Sequence, residues 1–116
     1  MLAGKELASR IVELADELKA IDVVTLDVRG KVSYADFLVI ASGTSDRHVQ
    51  SIADKVARDL KDEGTRNLGI EGLQEGNWVL SDYGDVVFHV FHQFTRQVYQ
   101  LEQIWQTPPK SSSSGS

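Results

Sequence analysis

Apolar residues first recur at helical spacing. Leu7, Ile11, Leu14, Ala15 and Leu18 fall at i, i+4, i+7, i+8 and i+11, so residues 2–20 are expected to form an amphipathic helix with one apolar stripe. The period then changes. IDVVTLDV is rich in β-branched residues and closes at Arg29-Gly30-Lys31, which predicts a strand over 22–28 with Asp22 and Asp27 near its ends. ADFLVIASG predicts a strand at about 36–42. Its run Phe37, Leu38, Val39, Ile40 does not alternate, as expected of a strand central in a sheet or covered on both faces.

Helical spacing returns in GTSDRHVQSIADKVARDLKDEG. Val49, Ile52, Ala53, Val56 and Leu60 make its buried stripe, and Thr44 or Ser45 can cap it. Asp46 suits the positive end of the helix dipole, and Gly64 is the natural stop. The Gly-rich NLGIEGLQEG allows a short strand at 68–71. WVLSDY and DVVFHVFH read as two strands around a tight turn at Tyr83-Gly84. TRQVYQLEQIW carries Val98, Leu101 and Trp105 at helical spacing, with Thr95 as cap. The order is α-β-β-α-β-β-β-α, which predicts one α/β (α+β) domain: a single mixed β-sheet flanked by helices.

Alternation along the hairpin sorts its side chains. A Tyr83-Gly84 loop pairs Asp82 with Asp85, Leu80 with Val87 and Trp78 with His89. One face then carries Trp78, Leu80, Asp82, Asp85, Val87, His89 and Phe91, and the other Val79, Ser81, Val86, Phe88, Val90 and His92. SDYGDVVFHVFH, with two aspartates and two histidines in twelve residues, invites a metal or acid–base reading. The faces oppose it. His89 and His92 point to opposite sides, and the aspartates flank a turn, where Asp bonds local backbone. Along the strand, roughly 13 Å separates His89 from them.

Both faces are nevertheless apolar. Either helices cover both sides of the sheet, or they cover one and the second meets another protein, with Trp78 as its anchor.

Bulk properties narrow the field. The 116 residues suffice for one domain, with 41% apolar and 25% charged residues. A net charge of −5 disfavours binding nucleic acid mainly through phosphates, and suits solubility or a basic protein partner. No cysteine is present, which removes disulfides, thiolate metal sites and a cysteine nucleophile. No apolar run approaches the roughly 18 residues of a membrane span, and MLAGKELASR has no signal-peptide pattern. Residues 1–107 are expected to form the domain, and the Pro/Ser segment 108–116 a disordered tail.

Other motifs are weaker. SGTSD precedes a helix, where phosphate can bind, but it lacks the P-loop ending and the Rossmann glycine spacing; capping is the simpler reading. A nucleotidyltransferase would need paired acidic metal ligands in the strand after this helix, where Leu68 to Glu71 offers one carboxylate. Arg47, His48, Lys55 and Arg58 interleave with Asp46, Asp54 and Asp59 as a solvated face does.

Three separated blocks, ADFLVIASGTSDRHVQSIADKV with EG at 71–72, WVLSDYGDVVFHVF, and TRQVYQLEQIW, resemble the ribosomal silencing factor family, also called the Iojap family. The resemblance runs from Leu7 to about Trp105. It implies a nucleotidyltransferase-like sheet without the catalytic carboxylates, hence no enzyme activity, no catalytic residue, no metal and no cofactor. It also implies binding to the large ribosomal subunit through ribosomal protein L fourteen, where the small subunit would dock. The consequence would be blocked subunit joining and repressed translation when nutrients are short. Relatives in mitochondria assist large-subunit assembly. A cytoplasmic location and a homodimer are implied as well. The partner-binding residues expected from the hairpin are Trp78, Leu80, Asp82, Tyr83, Asp85, Val87 and His89.

Overall fold

The computed structural model describes residues 4–94. Within them the elements follow the predicted order: α1 (Gly4–Glu17), β1 (Ile21–Asp27), β2 (Phe37–Gly43), α2 (Asp46–Asp62), β3 (Gly69–Glu71), β4 (Trp78–Asp82) and β5 (Val86–His92). The helix expected from Thr95 onward, the limit at 107 and the tail at 108–116 lie outside the described residues.

Local chemistry sets the helix limits. Ser45 caps α2, its Oγ accepting the His48 N–H at 3.0 Å. Gly64, at φ 95°, ends the helix by donating its N–H to the Lys61 carbonyl at 3.0 Å. Arg10 of α1 donates from Nε and Nη2 to the two Glu63 carboxylate oxygens at 3.0 and 2.6 Å, tying α1 to the end of α2.

The five strands form one mixed sheet in the order β1-β2-β5-β4-β3. β2 and β5 lie at its centre and run parallel; the other neighbours are antiparallel. β1 and β3 are the edges. In β1 the register shifts between Ile21 and Val24, and Asp22 takes φ 52° there. Such an irregularity disturbs the pairing of an edge strand.

Both helices pack on one face of the sheet. Leu7, Ile11 and Leu14 of α1 and Val49, Ile52, Val56 and Leu60 of α2 join Phe37, Val39, Val79, Phe88 and Val90 in one core. Fully burying an apolar side chain of this size contributes about 1.5–3 kcal/mol. The opposite face holds a smaller core of Leu38, Ile40, Val87 and Phe91, with Val28 and Ala35 from the β1–β2 connection. Leu26, Val32, Trp78 and Leu80 pack around it, partly buried.

The hairpin differs from its predicted pairing. Tyr83 donates its N–H to the Val86 carbonyl at 2.9 Å, so the loop is Gly84-Asp85 rather than Tyr83-Gly84. Gly84 takes φ 88° and Asp85 is not left-handed, the pattern of a type II′ turn with glycine first. Trp78 therefore faces Phe91, Leu80 faces His89 and Asp82 faces Val87. Moving the loop by one residue slides the pairing by two, so the side chains of β4 and β5 stay on the faces expected of them.

Candidate functional site

The second sheet face is graded from centre to flank. On the central strands Leu38, Ile40, Val87, His89 and Phe91 are buried. On β4, outside them, Trp78, Leu80 and Asp82 are only half-buried, while Val79 and Ser81 between them are fully buried under the helices. On the far side, β1 contributes half-buried Leu26 and the more exposed Val24. No described helix joins this cluster.

Trp78 sits in a ring cluster. Its indole lies 4.7 Å from the Phe91 ring, its cross-strand partner. His89 is diagonal to it, with ring centroids 6.1 Å apart, and stacks on Phe91 at 6.0 Å. The Trp78 indole N–H donates to His89 Nδ1 at 3.1 Å. Nδ1 is thus an acceptor, which places the proton of the neutral ring on Nε2. Burial supports neutrality, pushing the His89 pKa down to about 3.

Asp82 works partly as a turn residue: its Oδ1 accepts the Gly84 N–H at 2.8 Å. Asp85 is exposed, and its carbonyl accepts the N–H groups of Asp36 and Phe37 at 2.7 and 3.1 Å, joining the hairpin tip to β2.

The expected site thus divides. Trp78, Leu80, Asp82 and Asp85 keep accessible surface. Val87 and His89 share the face but lie at its buried centre, at 4% and 1% exposure, so a rigid partner does not reach them. Tyr83 is a correction: it lies on the other face, in the core under the helices. Burial pushes its phenol pKa well above the ordinary value, opposed by the neighbouring Ser81 hydroxyl. Alternation puts Tyr83 with Val79 and Ser81, a signal obscured when it is counted as loop.

His92 faces the helix side, as expected. Its ring stacks on Phe94 at 5.3 Å, and Nδ1 accepts the Phe94 N–H at 3.3 Å. Among the described residues no three His, Asp or Glu side chains gather as a metal site. His48, expected on a solvated face, is instead a connector. Its Nδ1 accepts the Thr44 N–H at 3.0 Å and its Nε2 meets the Leu18 carbonyl at 2.9 Å, linking the end of α1 to the start of α2.

Among the described residues, a mixed-sheet α+β domain with helices on one face and a half-buried tryptophan on the other defines the class. Residues 3–115 match the family described as "Ribosomal silencing factor during starvation", and the chain belongs to that family. The protein named Ribosomal silencing factor RsfS in Halalkalibacterium halodurans is 38% identical over 108 residues, covering 93% of this chain and 92% of that one. A crystal structure of a Chromobacterium violaceum protein matches at a TM-score of 0.85 and 33% identity, covering 90% of this chain and 88% of that one. "Mitochondrial assembly of ribosomal large subunit protein 1" of Mus musculus is 33% identical over 98 residues, covering 82% of this chain and 43% of that protein.

Proposed function

We propose that this chain binds the large ribosomal subunit through ribosomal protein L fourteen and sterically blocks association with the small subunit, repressing translation in the cytoplasm. The observation that carries the reading is the graded second face. Trp78 and Leu80 offer an apolar anchor, with the Asp82 and Asp85 carboxylates at the hairpin tip. An aromatic anchor beside acidic groups suits a basic ribosomal protein, and the net charge of −5 favours the encounter. The action asks for a surface and bulk, not for a reacting group, cofactor or metal. Family membership supports the ribosome as the partner.

Co-sedimentation with purified large subunits, small subunits and joined ribosomes tests it. Binding to free large subunits alone, with failure of those subunits to join, is the expected result. Absence from every particle overturns it. The mouse relative's name favours a second reading, escort of immature large subunits. Co-purification with precursor particles but not mature ones would select that reading. The homodimer that the family resemblance implies would give a sedimentation mass twice the chain's 12.8 kDa.

A further inference from the structure

Trp78 is held from two sides. Its main chain runs against Gly72, at φ 84°, where any Cβ would collide with the Trp78 carbonyl oxygen. That close approach admits only glycine. The adjoining strand ends are locked as well, by the His92 N–H donating to the Asn77 carbonyl at 2.8 Å. The side chain is held by Phe91 beside the ring and by His89 at the indole nitrogen.

His89 itself is not available to a partner, being 1% exposed. A buried imidazole in a sheet of Leu, Ile, Val and Phe is an unfavourable choice for packing alone, because its polar nitrogens must be satisfied. The bond to Trp78 satisfies Nδ1. It also ties the indole, on a flank strand, to the buried centre of the sheet. An aromatic anchor already fixed in one rotamer loses less entropy when it docks than one free to turn.

We infer that His89 is a positioning residue for the ribosome-binding face: by accepting the Trp78 indole N–H it fixes the orientation in which Trp78 meets the ribosomal protein. This rests on the reading that Trp78 is the anchor. His89 makes no contact with the partner. Its effect on binding passes through the indole.

The test uses the full chain with Trp105→Phe, so that indole signals come from Trp78 alone. In that background His89→Phe removes the acceptor while keeping a ring, and His89→Asn returns an acceptor oxygen close to the place of Nδ1. His89→Phe is expected to weaken binding to purified large subunits about five- to tenfold, the range of one hydrogen bond. It should also speed solvent exchange of the Trp78 indole proton in NMR spectra. His89→Asn should recover both. Unchanged affinity and unchanged indole exchange in His89→Phe overturn the inference. So does a loss of affinity that His89→Asn leaves uncorrected while the indole proton is protected again.

Trp78→Phe supplies the arm that does not depend on His89→Phe folding. It keeps a ring and removes the donor, and is expected to lose affinity to a similar extent. Full affinity in Trp78→Phe overturns the inference. Trp78→Ala separates the two levels. If it binds as the unmutated chain does, the anchor reading itself fails. If it loses binding while Trp78→Phe does not, the anchor stands and the positioning role falls.

Discussion

The two faces of one sheet are built from the same strands and do different work. Under α1 and α2, the sheet presents Phe37, Val39, Val79, Phe88 and Val90, all at or below 7% exposure, against two helical stripes. The other face has a buried centre but half-exposed flanks, and it carries the polar His89–Trp78 bond and the Asp82 turn contact. β4 shows the contrast within five residues: Val79 and Ser81 are buried, while Trp78, Leu80 and Asp82 alternate with them and remain half-buried. A face that only stabilises has little use for a tryptophan left partly accessible on its flank. The first face holds the fold together, and the second is where recognition is proposed.

The comparison is tested hardest by damaging the first face. Phe88 is fully buried between sheet and helices. Phe88→Ala is expected to cost about 3–5 kcal/mol of folding free energy, read by urea denaturation. A cost below about 1 kcal/mol would mean that the helix-covered core does not dominate stability.

The second face carries its own signature in pH. Burial lowers the His89 pKa from 6.5 to about 3. Between those values the unfolded chain binds a proton at His89 that the folded chain refuses. Stability therefore rises with pH across this window, and the contribution is complete above 6.5. From pH 7 to pH 5 the loss should be about 2 kcal/mol. The difference between the unmutated chain and His89→Phe isolates the contribution of this imidazole. Equal pH dependence in both would show that His89 takes up its proton alike in the folded and unfolded chains.

Trp78→Ala sharpens the contrast from the recognition side. It should weaken large-subunit binding by about 1–2 kcal/mol in co-sedimentation, and destabilise the chain less than Phe88→Ala does. Unfolding of Trp78→Ala would move Trp78 into the structural core and leave the second face without its anchor.

Much of this was legible in the residues. The helical stripes at Leu7 to Leu18 and Val49 to Leu60, and the unbroken run Phe37 to Ile40, located α1, α2 and β2, because period follows from burial. Alternation also sorts the β4 and β5 side chains onto their two faces, although it sets the hairpin loop one residue early. Tyr83-Gly84-Asp85 contains a single glycine, and either loop position can use its left-handed conformation, so alternation leaves a two-residue ambiguity in pairing without changing faces. What alternation could not show is depth. His89 and Trp78 share a face, but only the order β1-β2-β5-β4-β3 puts His89 at its covered centre and Trp78 on its flank. Strand order depends on contacts distant in sequence. For the same reason the contact between His48 and the Leu18 carbonyl had no local signal.

His92 gives the smallest expected effect and the cleanest control. It is on the same strand as His89, three positions later, and on the opposite face. Its ring contacts Phe94 and its Nδ1 accepts the Phe94 N–H, so His92→Ala removes a partly exposed stack and one hydrogen bond. Affinity for large subunits should change by less than about 0.5 kcal/mol. Beside His89→Phe, this comparison keeps the residue type and the strand while changing the face and the burial. A strong loss of binding in a folded His92→Ala protein would mean that the partner reads the helix side at the end of β5. The graded face would then be a second core, and Trp78 its rim.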